Sequence, residues 1–288
     1  MNCQDQIYSE EYIDFIGNRS LIESKYTLDC KQPLGARFAS LYLKLSDGYE
    51  DGTVYGYYNI PKLFGLQDTG SMESSGILQV RENPYLKLDG SGVLIGFVDT
   101  GIDYAGSIFL KQDGTTRVTA IWDQTIPAGS QIRLPAQPEL PENITRTPEG
   151  FLYGSEFTHE QLNAAVKMAD AYEGISSRDE NGHGTFLASI AAGNELPDGS
   201  FTGAAPKADI AMVKLKPAKN RLRAYYQIKE DAVAYQENDI MAGVLYLVSL
   251  AKKRQQPLVI CLGLGTNAGS HRGGLPLARM LEELGSSV

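Results

Sequence analysis

The sequence predicts an α/β fold, a largely parallel sheet with helices on both faces, and three observations predict it. Residues 93–98 and 258–262 are apolar runs without polar alternation, the pattern of strands buried on both faces. Residues 208–215 read the same way. Between these runs lie segments with helical spacing, and strands that alternate with helices indicate βαβ connections.

Taken in order, residues 1 to about 70 carry weak punctuation. Residues 39–45 and 54–58 read as short strands, with Asp47-Gly48 and Asp51-Gly52 as turns. From Met72 an irregular stretch passes Pro84 and the turn Asp89-Gly90-Ser91-Gly92 into the strand at 93–98. Within the long segment 104–180, Val118, Ala120 and Trp122 alternate as in a half-buried strand. Five prolines from Pro127 to Pro148 mark a surface excursion. Thr158 and Gln161 form a capping box that opens a helix to about Tyr172. A helix of small residues starts near His183. Asn238-Asp239 is expected to cap a helix with Ile240, Met241, Val244, Leu245, Val248 and Ala251 on its apolar face. Lys252, Lys253 and Arg254 sit at its end, where the dipole favours cations, and Pro257 stops it. A final helix covers about 275–284.

Composition narrows the function classes. A net charge of -9 argues against a nucleic-acid partner, which needs a basic face. No apolar run approaches the roughly 18 residues of a membrane span. The N-terminus lacks a basic region followed by an apolar stretch, so no secretory signal is read and a cytoplasmic location is favoured. Cys3, Cys30 and Cys261 are odd in number, which is read as free thiols in a reducing compartment, with Cys261 a buried small residue. Asp103, Asp113 and Asp123 lack ligand-loop spacing and read as turn residues, so neither a metal nor a cofactor is expected.

Two residues stand out chemically. Asp99 follows the buried strand directly, at the carboxyl end where functional groups of open α/β sheets gather. Alone, an Asp-Thr-Gly turn caps a following segment as readily as it does chemistry. His183 lies between Gly182 and Gly184 at a predicted helix N-terminus, where the dipole favours the neutral imidazole that a general base requires. A hydrogen-bonded structural histidine is the alternative. His159, at an exposed helix start, reads as solvated, and His271 has no assigned role.

These motifs, in the order Asp then His, resemble the subtilisin-like serine proteases, or subtilases. Residues 92–103 around Asp99 resemble the aspartate motif. Asn181-Gly182-His183-Gly184-Thr185 with Ala191-Ala192-Gly193 resembles the histidine motif. Residues 203–215 resemble the loop and strand that follow it, and Ile260-Cys261-Leu262-Gly263 the strand that lines the substrate cleft. Within the family the sequence is most similar to the clostridial spore-germination proteases, through Trp122-Asp123-Gln124-Thr125, residues 153–158 and Tyr235-Gln236-Glu237-Asn238-Asp239.

The resemblance implies a serine endopeptidase acting on a protein or peptide, without cofactor. His183 would take the proton from a serine hydroxyl, and Asp99 would hold the imidazole tautomer. Cys261, Leu262 and Gly263 would pair with the substrate backbone. Residues 1–70 would be propeptide-like, the chain's own partner for the cleft. Residues 71–288 would form the N-terminal part of a peptidase domain with an insertion at about 104–180.

One motif is missing. The family places its serine in Gly-Thr-Ser, and each Gly-Thr pair here continues to Val54, Thr116, Phe186 or Asn267. No nucleophile is therefore read in this chain, and the subtilisin-like sheet is expected to be incomplete at its C-terminal end. A fragment of a longer protease is the expectation, and the chain alone is expected to hydrolyse little. The alternative is a non-catalytic subtilase-like binding or regulatory module. A dinucleotide loop at 263–269 is the weakest rival, since no βαβ unit follows it.

Overall fold

The computed structural model describes residues 2–25, 30–44, 59–66, 88–135, 144–198, 201–269 and 272–286. The strand expected at 54–58, the turns at Asp47-Gly48 and Asp51-Gly52, the stretch through Met72 and Pro84, and His271 lie outside these residues.

The N-terminal part starts with α1 (Cys3–Tyr8), opened by a reciprocal cap in which Asn2 Oδ1 accepts from Asp5 N at 2.8 Å and the Asp5 carboxylate accepts from Asn2 N. Then come β1 (Tyr12–Asn18), α2 (Arg19–Lys25), β2 (Lys31–Leu34) and β3 (Phe38–Lys44), with the strands in the antiparallel order β1-β3-β2. The strand expected at 39–45 is β3. Ile13, Phe15, Leu41 and Leu43 bury one side of this small sheet.

Cys3 and Cys30 form a disulfide, which corrects the reading of three free thiols. An odd count excludes a complete framework but not one pair with one cysteine left over, and Cys261 is that remainder. The cysteines therefore no longer indicate a reducing compartment. After β4 (Leu63–Leu66) the chain enters the larger part of the molecule.

The central sheet comprises β5 (Leu94–Asp99), β6 (Val118–Asp123), β7 (Ser155–Thr158), β8 (Asp209–Lys214) and, after β9 (Tyr235–Gln236), β10 (Leu258–Cys261). Its order is β10-β5-β8-β6-β7, parallel except for β7. The helices between are α3 (His159–Val166), α4 (Ala171–Gly174), α5 (His183–Ala192), α6 (Asn220–Tyr225) and α7 (Glu237–Arg254). Two-residue β11 (Leu264–Gly265) and α8 (Pro276–Ser286) follow.

Side chains alternate across β5. Leu94 and Val98 face the core built on α7, whereas Ile95 and Phe97 face the core shared with α5 and α3. Asp99 continues the second series, so the strand's own period turns it toward α5.

Some local expectations shift. β6 is buried at all six positions instead of being half-buried. Thr119 and Asp123, which look solvent-facing in sequence, find partners inside: Thr119 Oγ1 donates to Ile210 O at 3.0 Å and Asp123 accepts from Ser177 Oγ at 2.6 Å. α3 has the expected Thr158–Gln161 cap but ends at Val166, with α4 a separate turn. His159 is half-buried and not simply solvated, its Nδ1 lying 3.1 Å from Val118 O. Helix α7 starts at Glu237, so Asn238 and Asp239 lie in its first turn and are buried.

Their burial belongs to a polar seam between the N-terminal sheet and α7. Asp14 of β1 pairs with Lys219 Nζ, and its other oxygen accepts from Gln236 Nε2 at 2.9 Å and Asn238 Nδ2 at 3.2 Å. Asp239 pairs with Lys216 Nζ at 2.7 Å and accepts from Tyr153 Oη at 2.9 Å. Burial pushes the Tyr153 hydroxyl well above its ordinary value, and the Asp239 charge adds to that.

Candidate active site

Asp99 and His183, 84 positions apart in sequence, meet at the carboxyl end of β5. His183 Nδ1 lies 2.8 Å from Asp99 Oδ1, which also accepts from Thr100 N at 2.7 Å. With Nδ1 carrying its proton toward the carboxylate, Nε2 is left as the acceptor, the tautomer a general base needs. Asp99 is 1% exposed and the His183 side chain 15%, so the ring edge retains access. Burial pushes the Asp99 carboxyl above its ordinary value, and the bonds from His183 and Thr100 oppose that shift.

The local sequence explains how the two backbones come so close. His183 is the first residue of α5, and Gly182 before it has a φ of +88°, a left-handed conformation that suits glycine. Gly184 packs against the Asp99 loop. A Cβ there would stand 3.2 Å from Asp99 Cβ and 3.1 Å from Gly101 N, and nearer still to the Gly101 carbonyl oxygen.

Of the cleft residues read from sequence, Gly263 is brought to the pair. A Cβ on it would lie 3.2 Å from His183 Cε1 and 3.4 Å from Asp99 Oδ2. Asp99 Oδ2 is buried and has no hydrogen-bond partner. Cys261, opposite Phe97 in the β10–β5 register, packs on the α5 side and is half-buried, less enclosed than its apolar run suggests. Burial pushes its thiol up, and the Asp99 charge adds to this. Leu262 turns to the opposite core.

Other features near the pair were not apparent in sequence. β4 lies between β11 and β9 and is antiparallel to both, with Leu66 opposite Leu264, Gly65 opposite Gly265 and Phe64 opposite Tyr235. β11 follows directly on Gly263, the residue that approaches His183 Cε1. Lys214 Nζ, at the end of the strand next to β5, reaches Glu180 Oε2 and Arg178 O, each at 2.6 Å. Among the described residues no group of three or more His, Cys, Asp and Glu side chains is placed to hold a metal, and no helix is long and apolar enough to cross a membrane.

Comparison with known proteins bears on residues well beyond the pair. A model of the subtilase family of peptidases matches residues 90–282. The subtilisin-like protease SBT3.8 of Arabidopsis thaliana is 30% identical over 141 residues, 43% of this chain and 16% of that protein. SBT3.5 of the same plant is 29% identical over 164 residues, 54% of this chain and 19% of its own length. The chain thus matches less than a fifth of these relatives. The solved structure of the Clostridium perfringens CspB protease aligns with a TM-score of 0.54 at 28% identity, covering 74% of this chain and 38% of that one.

Proposed function

Because the chain belongs to the subtilase family, we propose that it serves serine endopeptidase chemistry on protein or peptide substrates, with His183 as general base and Asp99 as its orienting carboxylate. The observation that carries this reading is the 2.8 Å contact between His183 Nδ1 and a carboxylate that is 1% exposed. A buried carboxylate that holds the Nδ1 proton fixes the tautomer in which Nε2 can accept one, the arrangement a general base requires. The fold is the subtilisin-like α/β arrangement of the solved relative.

The nucleophile is the missing element, since no Gly-Thr-Ser occurs in the 288 residues. We assign the serine to sequence outside them and expect this chain alone to hydrolyse little. In subtilisin, loss of the serine lowers turnover by about 10⁶-fold. Retention of both other triad members, in bonding geometry, favours this over a binding module.

Residues 1–70 fit the role of an intramolecular propeptide. Their last described strand, β4, pairs antiparallel on both sides between β9 and β11, as an extended peptide adds to a sheet edge. The polar seam through Asp14 would hold the rest of the segment. Gly263 lets the backbone pass close to His183, where a Cβ would stand 3.2 Å from its Cε1, and Cys261 and Leu262 lead into it from β10.

The test is to express the whole reading frame that contains these residues and to assay casein hydrolysis. Activity blocked by a serine-directed fluorophosphonate, and abolished by His183→Ala, is expected. A reading frame that adds no serine at a helix start, or hydrolysis indifferent to His183→Ala, would leave the non-catalytic reading instead.

A further inference from the structure

Four residues ahead of His183 stands a carboxylate that the proteolytic reading does not use. Asp179 Oδ1 accepts from Thr100 Oγ1 at 2.7 Å and from Gly182 N at 2.9 Å. Its Oδ2 accepts from Thr185 N at 2.8 Å and from Thr185 Oγ1 at 2.6 Å. Thr100 Oγ1 in turn accepts from Gly184 N at 2.9 Å, and Thr185 Oγ1 accepts from Asp103 N at 3.0 Å. Each of these bonds joins, or braces one end of, the two segments 99–103 and 179–185.

We infer that Asp179 is a positioning residue whose carboxylate, acting through Thr100 and Thr185, clamps the loop bearing Asp99 to the helix bearing His183. It touches no reacting atom. A helix cap alone would explain the bonds to Gly182 and Thr185, since Gly182 offers no side chain to cap α5. It would not explain why the Thr100 hydroxyl is held between Asp179 and Gly184, one residue beyond each member of the pair. Thr100 N bonds Asp99 Oδ1 and Gly184 follows His183, so this hydroxyl links the immediate neighbours of both.

The requirement for a carboxylate follows from counting acceptors. Each Asp179 oxygen takes two donors, and an asparagine can offer only one oxygen. Whichever way its amide turns, Asp179→Asn sets an NH2 group against one backbone N–H, whose bond is lost, and one threonine hydroxyl, which keeps a bond only by turning round to accept. Small displacements at such a site matter, because a histidine base must stay within hydrogen-bond reach of its carboxylate.

The clamp bears on catalysis only through the proteolytic reading, but its test needs no proteolysis. In the full 288-residue chain, proton NMR of the low-field resonance from the His183–Asp99 hydrogen bond reports the pair directly. Asp179→Asn and Thr100→Val are each expected to broaden the resonance away or to speed its solvent exchange about tenfold or more. Their combination should have less than the summed effect of the two, because both weaken the bond between Thr100 and Asp179. Thr100→Ser, which keeps the hydroxyl, should retain the signal. If Asp179→Asn does not fold, the Thr100→Val and Thr100→Ser pair decides. A resonance unchanged in the folded variants, with only the thermal midpoint lowered, would reduce Asp179 to a helix cap and overturn the inference. Absence of the resonance from the unsubstituted chain would overturn it too. Failure of the completed enzyme to cleave would refute the proteolytic reading alone.

Discussion

Replacing Asp14 by asparagine should be among the more damaging changes outside the candidate active site. The carboxylate has no exposed surface, and its partner Lys219 is 4% exposed, so neither charge can fall back on water. One Asp14 oxygen pairs with Lys219 Nζ and the other accepts from Gln236 Nε2 and Asn238 Nδ2. In Asp14→Asn, one of these positions becomes an NH2 group facing donors. Lys219 keeps only the carbonyls of Tyr12 and Gln6, at 3.2 and 3.5 Å. Breaking one partner of a buried pair in this way costs about 3–5 kcal/mol. Domains are typically stable by only about 5–15 kcal/mol, so the transition should move visibly. The assay is urea unfolding, followed both by circular dichroism and by the fluorescence of the sole tryptophan, Trp122, which is fully buried. Removing both charges, as in Asp14→Leu with Lys219→Met, should recover part of the loss, because two desolvated ions disappear together while Gln236 Nε2 and Asn238 Nδ2 give up one acceptor. An Asp14→Asn chain within about 1 kcal/mol of the parent would refute this reasoning, as would a double variant as unstable as the sum of its singles.

Two further outcomes follow from the backbone. Gly184→Ala should destabilise the chain by about 1–3 kcal/mol and weaken the low-field His183 resonance, because its methyl must displace the Asp99 loop; a variant with unaltered urea midpoint and resonance would contradict this. Cys3→Ser should cost about 3–4 kcal/mol under non-reducing conditions, since the disulfide closes a loop with a sequence separation of 27. Reductant should bring the parent to the variant's stability, and equal stability of the two without reductant would be the contrary result.

The central sheet was legible because burial on both faces leaves uninterrupted apolar runs: 93–98 and 258–262 appear as β5 and β10 with ends displaced by a residue. Helix α5 was legible for a related reason, its small residues being needed where it crosses close to β5. Asp99 and His183 could be singled out because strand end, helix start and flanking glycines coincide at them. β4 and β9 could not. Strands of four and two residues have too few positions to display a period, and each is defined by a partner remote in sequence. Polar residues misled in the other direction. Thr119, Asp123, Asn238 and Asp239 carry the composition of surface positions, but each is satisfied by residues from other segments and is therefore buried. The Asp179 clamp was invisible for a related reason, since the bond that makes it more than a local cap comes from Thr100, 79 positions away in sequence.

The ribbon in which β4 lies between β9 and β11 also sets a condition on competition. Any external strand seeking those two edges meets an occupant tethered to the same polypeptide by the chain between Leu66 and Leu94. Joining a group covalently to its site commonly holds it at an effective concentration on the order of millimolar. A free peptide present at micromolar levels would need roughly a thousandfold better intrinsic pairing to displace it. Once separated from the polypeptide, the same strand competes only at the concentration of an ordinary solute.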